Sequence, residues 1–104
     1  MSRVDEIKKM LKTDPKDSFL TYALALEYEK AEKPKEAIKI IEGLIQHDPN
    51  YLGAYYKLGQ LYEAQDKLTK AQKIYSTGIK LATEKQDNKA KGELEEALWL
   101  IEEE

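Results

Sequence analysis

The sequence repeats itself with a period of 34 residues, and this period limits the possible folds more than any other property of the chain. Displaced by 34 positions, Asp14-Pro15 falls on Asp48-Pro49. Tyr22, Leu24, Tyr28, Glu29, Ala37, Lys39, Ile40 and Ile45 fall on Tyr56, Leu58, Tyr62, Glu63, Ala71, Lys73, Ile74 and Ile79. A fixed period of this length marks stacked supersecondary units, none of which can bury its apolar side alone.

Within each period the apolar residues recur at helical spacing, so each unit reads as two helices joined by a short turn. Residues 17–31 predict a helix with Asp17 or Ser18 as N-cap. It is apolar almost all round (Phe19, Leu20, Tyr22, Ala23, Leu24, Ala25, Leu26, Tyr28), so it must be covered on more than one side. Residues 34–47 predict its partner, with Pro34 in the first helical turn. The copy gives helices over 51–65 and 67–84. Gly59 in a helix interior costs about 1 kcal/mol relative to alanine, which points to a close helix crossing there. Ala25 holds the equivalent position, and Ala37 and Ala71 read as small residues at the hairpin contact.

The flanks differ from the repeats. Val4, Ile7, Met10 and Leu11 share one face of a helix over 3–13, and the last three fall on Ile41, Leu44 and Ile45 at the 34-residue displacement. This helix therefore reads as the second half of an incomplete repeat. Residues 88–103 predict a last helix with Ala90, Leu94, Ala97, Leu98 and Ile101 on one face, a polar-sided cap of the kind a solenoid end requires. Glu102, Glu103 and Glu104 oppose the helix dipole and predict fraying of its last turn. The chain thus predicts a single domain over 1–104. It comprises a capping helix (1–14), two repeats (15–49 and 50–85) and a C-terminal solvating helix (86–104).

Composition narrows the chemistry. The net charge is −3, with no concentrated basic surface of the kind nucleic acid demands. The chain has no cysteine, which removes disulfides, thiolate metal sites and cysteine nucleophiles and fits a reducing, cytoplasmic setting. No apolar run approaches the roughly 20 residues of a membrane span. His47 is the sole histidine, and as a helix-terminal residue before Asp48-Pro49 it reads as structural. Arg3 is the sole arginine, and there is no Gly-rich phosphate loop. These absences predict no catalytic residues, no metal and no cofactor.

The spaced residues resemble the tetratricopeptide repeat family, a 34-residue helix-turn-helix unit with an aromatic–Leu–Gly–Tyr series on its first helix. The second unit carries Tyr55, Leu58, Gly59, Tyr62, Ala71, Tyr75 and Gly78. The first carries Thr21, Leu24, Ala25, Tyr28, Ala37, Ile41, Leu44 and Pro49. Thr21 replaces the aromatic, Ala25 the glycine and Thr83 the closing proline. The resemblance implies an all-α fold, a right-handed α-α superhelix of about six antiparallel helices. It also implies a non-enzymatic scaffold whose first helices line a groove for a peptide or partner helix. The matching positions are Phe19, Tyr22, Ala23, Leu26 and Glu29, then Gly53, Tyr56, Lys57, Gln60 and Glu63. One subgroup of the family clamps a C-terminal carboxylate with Lys and Asn. Tyr22 and Leu26 stand where that clamp would begin, so a more apolar ligand is expected.

Two further readings stay open in the sequence. The C-terminal helix could itself fill the groove, in which case truncation after Lys85 would destabilise the fold. Trp99 lies away from Leu94, Leu98 and Ile101, either as a partner or dimer contact or folded over Gly92. The ends also differ in charge. Residues 1–12 carry Arg3, Lys8, Lys9 and Lys12 against Asp5 and Glu6, whereas 93–104 carry six Glu and no base. The alternative to a peptide-binding module is therefore a structural one that associates through its ends as a weak homo-oligomer. No nucleic-acid or membrane partner is expected.

Overall fold

The computed structural model describes residues 2–103. It contains six helices: α1 (Arg3–Thr13), α2 (Ser18–Lys30), α3 (Pro34–His47), α4 (Gly53–Ala64), α5 (Leu68–Glu84) and α6 (Asn88–Glu102). Among the described residues there is no strand. The chain divides into two compact units at the second Asp-Pro step, one ending at Pro49 and the other starting at Asn50.

In the first unit α2 packs against both α1 and α3. Local chemistry sets its start: the Asp17 carboxylate accepts from the Leu20 amide, 2.9 Å away, satisfying one of the four orphan donors of the first turn. Ile7 of α1, Leu24 and Ala25 of α2, and Ala37, Ile38, Ile41 and Leu44 of α3 are buried. The Ser18 hydroxyl donates to the Asp48 carboxylate, tying the start of α2 to the end of α3. Arg3 reaches Glu27 at 4.0 Å, and the Lys8 ammonium stands 5.7 Å from the centre of the Tyr28 ring. The basic side of α1 is thus partly engaged with α2.

In the second unit α5 packs against both α4 and α6, and α6 also touches α4. Gly78 marks the place where the three helices meet. A Cβ there would lie 2.9 Å from the Tyr55 Cβ of α4 and 3.0 Å from the Leu94 Cδ1 of α6. Leu94 and Ile101 anchor α6, and both are buried. α4 begins at Gly53 rather than at Tyr51. Leu52 offers no side-chain cap, so Tyr51 and Leu52 form a turn closed by the Ala54 amide on the Tyr51 carbonyl at 3.1 Å. α6 stays helical as far as Glu102, and Glu104, included in the expected fraying, lies outside the described residues.

Three helices end in the same way. Glu32, Asp66 and Gln86 follow α2, α4 and α5 with φ of 61°, 60° and 59°. After each, the next amide reaches back five residues. Lys33 donates to Tyr28 at 2.9 Å, Lys67 to Tyr62 at 2.8 Å and Asp87 to Ala82 at 2.9 Å. These are Schellman closures, but none has the glycine that the left-handed conformation favours. Glu32→Gly and Gln86→Gly are each expected to raise stability by about 0.5–1 kcal/mol. Glu32 belongs to the first unit and Gln86 to the second, so the gains should add. Urea denaturation midpoints of the single and double variants measure this.

Candidate functional site

The family-type binding positions lie on the first helix of each repeat, and each unit displays its own set. On α2, Phe19, Tyr22, Ala23, Leu26 and Glu29 follow one helical stripe. Phe19 is 68% exposed, and the other four are half-buried. Burial and then the nearby Glu29 carboxylate push the Tyr22 hydroxyl pKa up. On α4, Tyr56, Lys57 and Glu63 are half-buried and Gln60 is exposed. The two stripes differ where Ala23 becomes Lys57 and Leu26 becomes Gln60, which makes the α2 stripe the more apolar.

Behind the α4 stripe stands Tyr75 of α5, with no solvent exposure at all. Its ring occupies the space that a side chain at Gly59 would need: a Cβ there would come within 2.1 Å of Tyr75 Cε1. The Tyr56 ring lies tilted at 42° to it, with centroids 6.3 Å apart, within the range of favourable aromatic pairs. The Tyr75 hydroxyl donates to the Glu63 carboxylate. Tyr56 and Glu63 therefore have one side in the hairpin core and one on the candidate surface.

Burial pushes the Tyr75 hydroxyl well above the ordinary tyrosine pKa, and its hydrogen bond to Glu63 and that carboxylate's charge add to the shift. Such a group favours the fold fully below the unfolded pKa of about 10. Above it the unfolded chain releases the proton while the folded chain keeps it, so stability falls as pH rises. Tyr75→Phe is expected to cost about 1.5–3 kcal/mol at neutral pH and to remove part of the alkaline loss. Tyr22 keeps its own share. Urea midpoints between pH 8 and pH 11 resolve the two effects.

Sequence reasoning did not anticipate the Tyr75–Glu63 bond. A signal was present: at the 34-residue displacement Gly59 answers to Ala25 and Tyr75 to Ile41, so one position shrinks where its neighbour grows. Trp99 is 57% exposed. It is not folded over Gly92, because no side chain comes within 4 Å of where a Cβ on Gly92 would sit. No group of three or more His, Cys, Asp or Glu that could hold a metal ion occurs among the described residues. None of their helices is long and apolar enough to cross a membrane.

The tetratricopeptide repeat model matches residues 28–88, more than half of the chain. The chain belongs to the tetratricopeptide repeat family. A tetratricopeptide repeat domain protein from Salinibacter ruber is similar in sequence and structure. Its crystal structure is 40% identical, covers 83% of this chain and 96% of its own, and superposes with a TM-score of 0.78. Its solution structure, also 40% identical, covers 85% and 89% with a TM-score of 0.82. The TPR2B domain of yeast Sti1, solved as a complex with pHsp70, superposes with a TM-score of 0.87 over 96% of this chain and 80% of its own. At 20% identity that likeness shows the tetratricopeptide fold alone. None of the curated proteins compared matches the chain significantly.

Proposed function

We propose that this chain is a non-enzymatic protein-interaction module that binds an extended peptide or a partner helix along the first helices of its repeats, α2 and α4. The observation that carries this reading is the exposed Phe19, which continues into half-buried Tyr22, Ala23 and Leu26 along one stripe of α2. Water contact at a large aromatic is unfavourable, and covering such a stripe recovers that cost. Aromatic anchors of this kind carry much of the energy of peptide interfaces. The Sti1 domain of the same fold was solved with a protein ligand, pHsp70, which supports a protein partner in general.

On α4, Tyr56, Lys57, Gln60 and Glu63 offer a second and more polar strip. A ligand segment on the α2 strip would be apolar, and one on the α4 strip would be hydrogen-bonding. A strip of this size suits affinities of about 1–100 µM. Peptides selected from a displayed random library against the chain are expected to bind in that range. They should lose at least tenfold in affinity on Tyr22→Ala/Tyr56→Ala, with helicity retained by circular dichroism. Peptides that bind the double variant unchanged would show that recognition lies elsewhere.

A further inference from the structure

The exposed side of α6 has an unusual arrangement. Trp99 and Leu100 are 57% and 54% exposed, and every residue one helical turn from Trp99, namely Glu95, Glu96, Glu102 and Glu103, is a glutamate. Among the described residues none of these four makes an ion pair. The opposite character lies on α5. Residues 67–85 carry five lysines against Glu84 alone. Of these lysines, Lys70 lies over the Tyr62 ring, and none pairs with a carboxylate among the described residues.

The α5 surface is also indented. One depression of about 520 Å³ is lined by Ser76, Thr77, Ile79, Lys80, Thr83 and Glu84. A neighbouring one of about 540 Å³ includes Lys73, Ser76 and Thr77 of α5 with Leu98 and Glu102 of α6. Ser76 and Thr77, which stand between Lys73 and Lys80 in sequence, line both depressions. These two lysines are seven residues apart, about 10.5 Å along a helix. Glu95 and Glu102 have the same separation, as do Glu96 and Glu103, and Trp99 stands midway between them.

We propose that the chain forms a homodimer in which α6 of one copy docks on the α5 trough of the other, Trp99 resting on Ser76 and Thr77 between Lys73 and Lys80. Both halves of the contact lie on neighbouring helices of the second unit. The contact is therefore reciprocal about a two-fold axis, each copy giving one knob and receiving one. A second copy is the occupant because the chain itself carries the acid-ringed aromatic that Lys73 and Lys80, on the predominantly basic α5, complement. The α1 helix is the poorer receiver, since Arg3 already faces Glu27 and Lys8 already stands over Tyr28. This association uses residues other than the α2 and α4 strips and does not depend on the function proposed for them.

The test is molecular mass by sedimentation equilibrium, with the emission of the sole tryptophan, Trp99, followed in parallel. The wild type is expected to pass from monomer to dimer at about 10–100 µM in low salt, with a blue shift of Trp99 emission. Salt near 1 M, where the Debye length is about 3 Å, should weaken the dimer at least tenfold. Lys73→Glu/Lys80→Glu and Glu95→Lys/Glu102→Lys should each be monomeric alone, because each opposes like charges across both contacts. Mixed in equal amounts they should form a one-to-one heterodimer, because both contacts then regain opposite charges. Trp99→Ser should weaken the dimer at least tenfold. A wild type that stays monomeric to about 1 mM overturns the proposal. So does a dimer indifferent to the charge variants, or a mixture that does not associate.

Discussion

Gly59→Ala is expected to lower stability by about 2 kcal/mol, and adding Tyr75→Ile should recover most of that loss. Alanine at an ordinary helical glycine gains about 1 kcal/mol. Here the new methyl would lie 2.1, 2.5 and 2.6 Å from three atoms of the Tyr75 ring. Tyr75 has no exposed surface, so the ring cannot swing into solvent without emptying its site. Overpacking of this kind costs about 1–3 kcal/mol, and displacing the ring also strains the bond to Glu63, worth about 1.5–3 kcal/mol as a hydrogen bond to a charged group. The double variant installs the residues that the first repeat has at the equivalent positions, Ala25 and Ile41, both fully buried. A double-mutant cycle in urea should give a favourable coupling above about 1 kcal/mol. A coupling of zero would mean that ring and methyl never compete for space.

Truncation after Lys85 is expected to cost about 5 kcal/mol, enough to unfold the second unit. It removes Leu94 and Ile101, 1% and 4% exposed, at roughly 2–3 kcal/mol each. It also uncovers Gly78, where Leu94 lies in contact. A small domain has only about 5–15 kcal/mol to lose. Leu94→Ala, which keeps the helix, should cost about 3 kcal/mol. Thermal unfolding by circular dichroism measures both, and a truncated chain that melts like the full one would refute the covering role of α6. The sequence alone tied this truncation to the occupancy of a binding groove. Because α6 buries Leu94 and Ile101 within its own unit, a destabilised truncation does not by itself show that α6 fills the α2 and α4 strips.

Much of the fold could be read from the sequence because its causes are local and periodic. Pro34 and Asp17 mark helix starts through their own backbone chemistry, and the observed helices begin beside them. Gly59 signalled a close approach by its cost in a helix, and what comes close there is the Tyr75 ring rather than a neighbouring backbone. What could not be read depends on side chains meeting across helices. Nothing in the spacing of Tyr75 states that its hydroxyl reaches Glu63, because that depends on how far one helix is rotated against the other. The left-handed residues Glu32, Asp66 and Gln86 were hidden for the opposite reason: sequence reasoning looks for glycine there and finds none. Of the candidate site, the α2 stripe follows from helical spacing, and the α4 positions come from the family resemblance. Their double role does not, since Tyr56 and Glu63 reveal it only once Tyr75 is seen behind them.

The Gly59–Tyr75 fit has a consequence for how the chain finds its fold. A sequence that repeats itself risks pairing the wrong halves, with a helix of one repeat closing on its counterpart in the other or in a neighbouring molecule. The unequal pairs guard against that error. If α2 closed on α5, the methyl of Ala25 would be set against the Tyr75 ring. If α4 closed on α3, Gly59 would face Ile41 and leave a void. Each mispaired hairpin is penalised, one by collision and the other by emptiness, so two nearly interchangeable repeats are kept from exchanging partners.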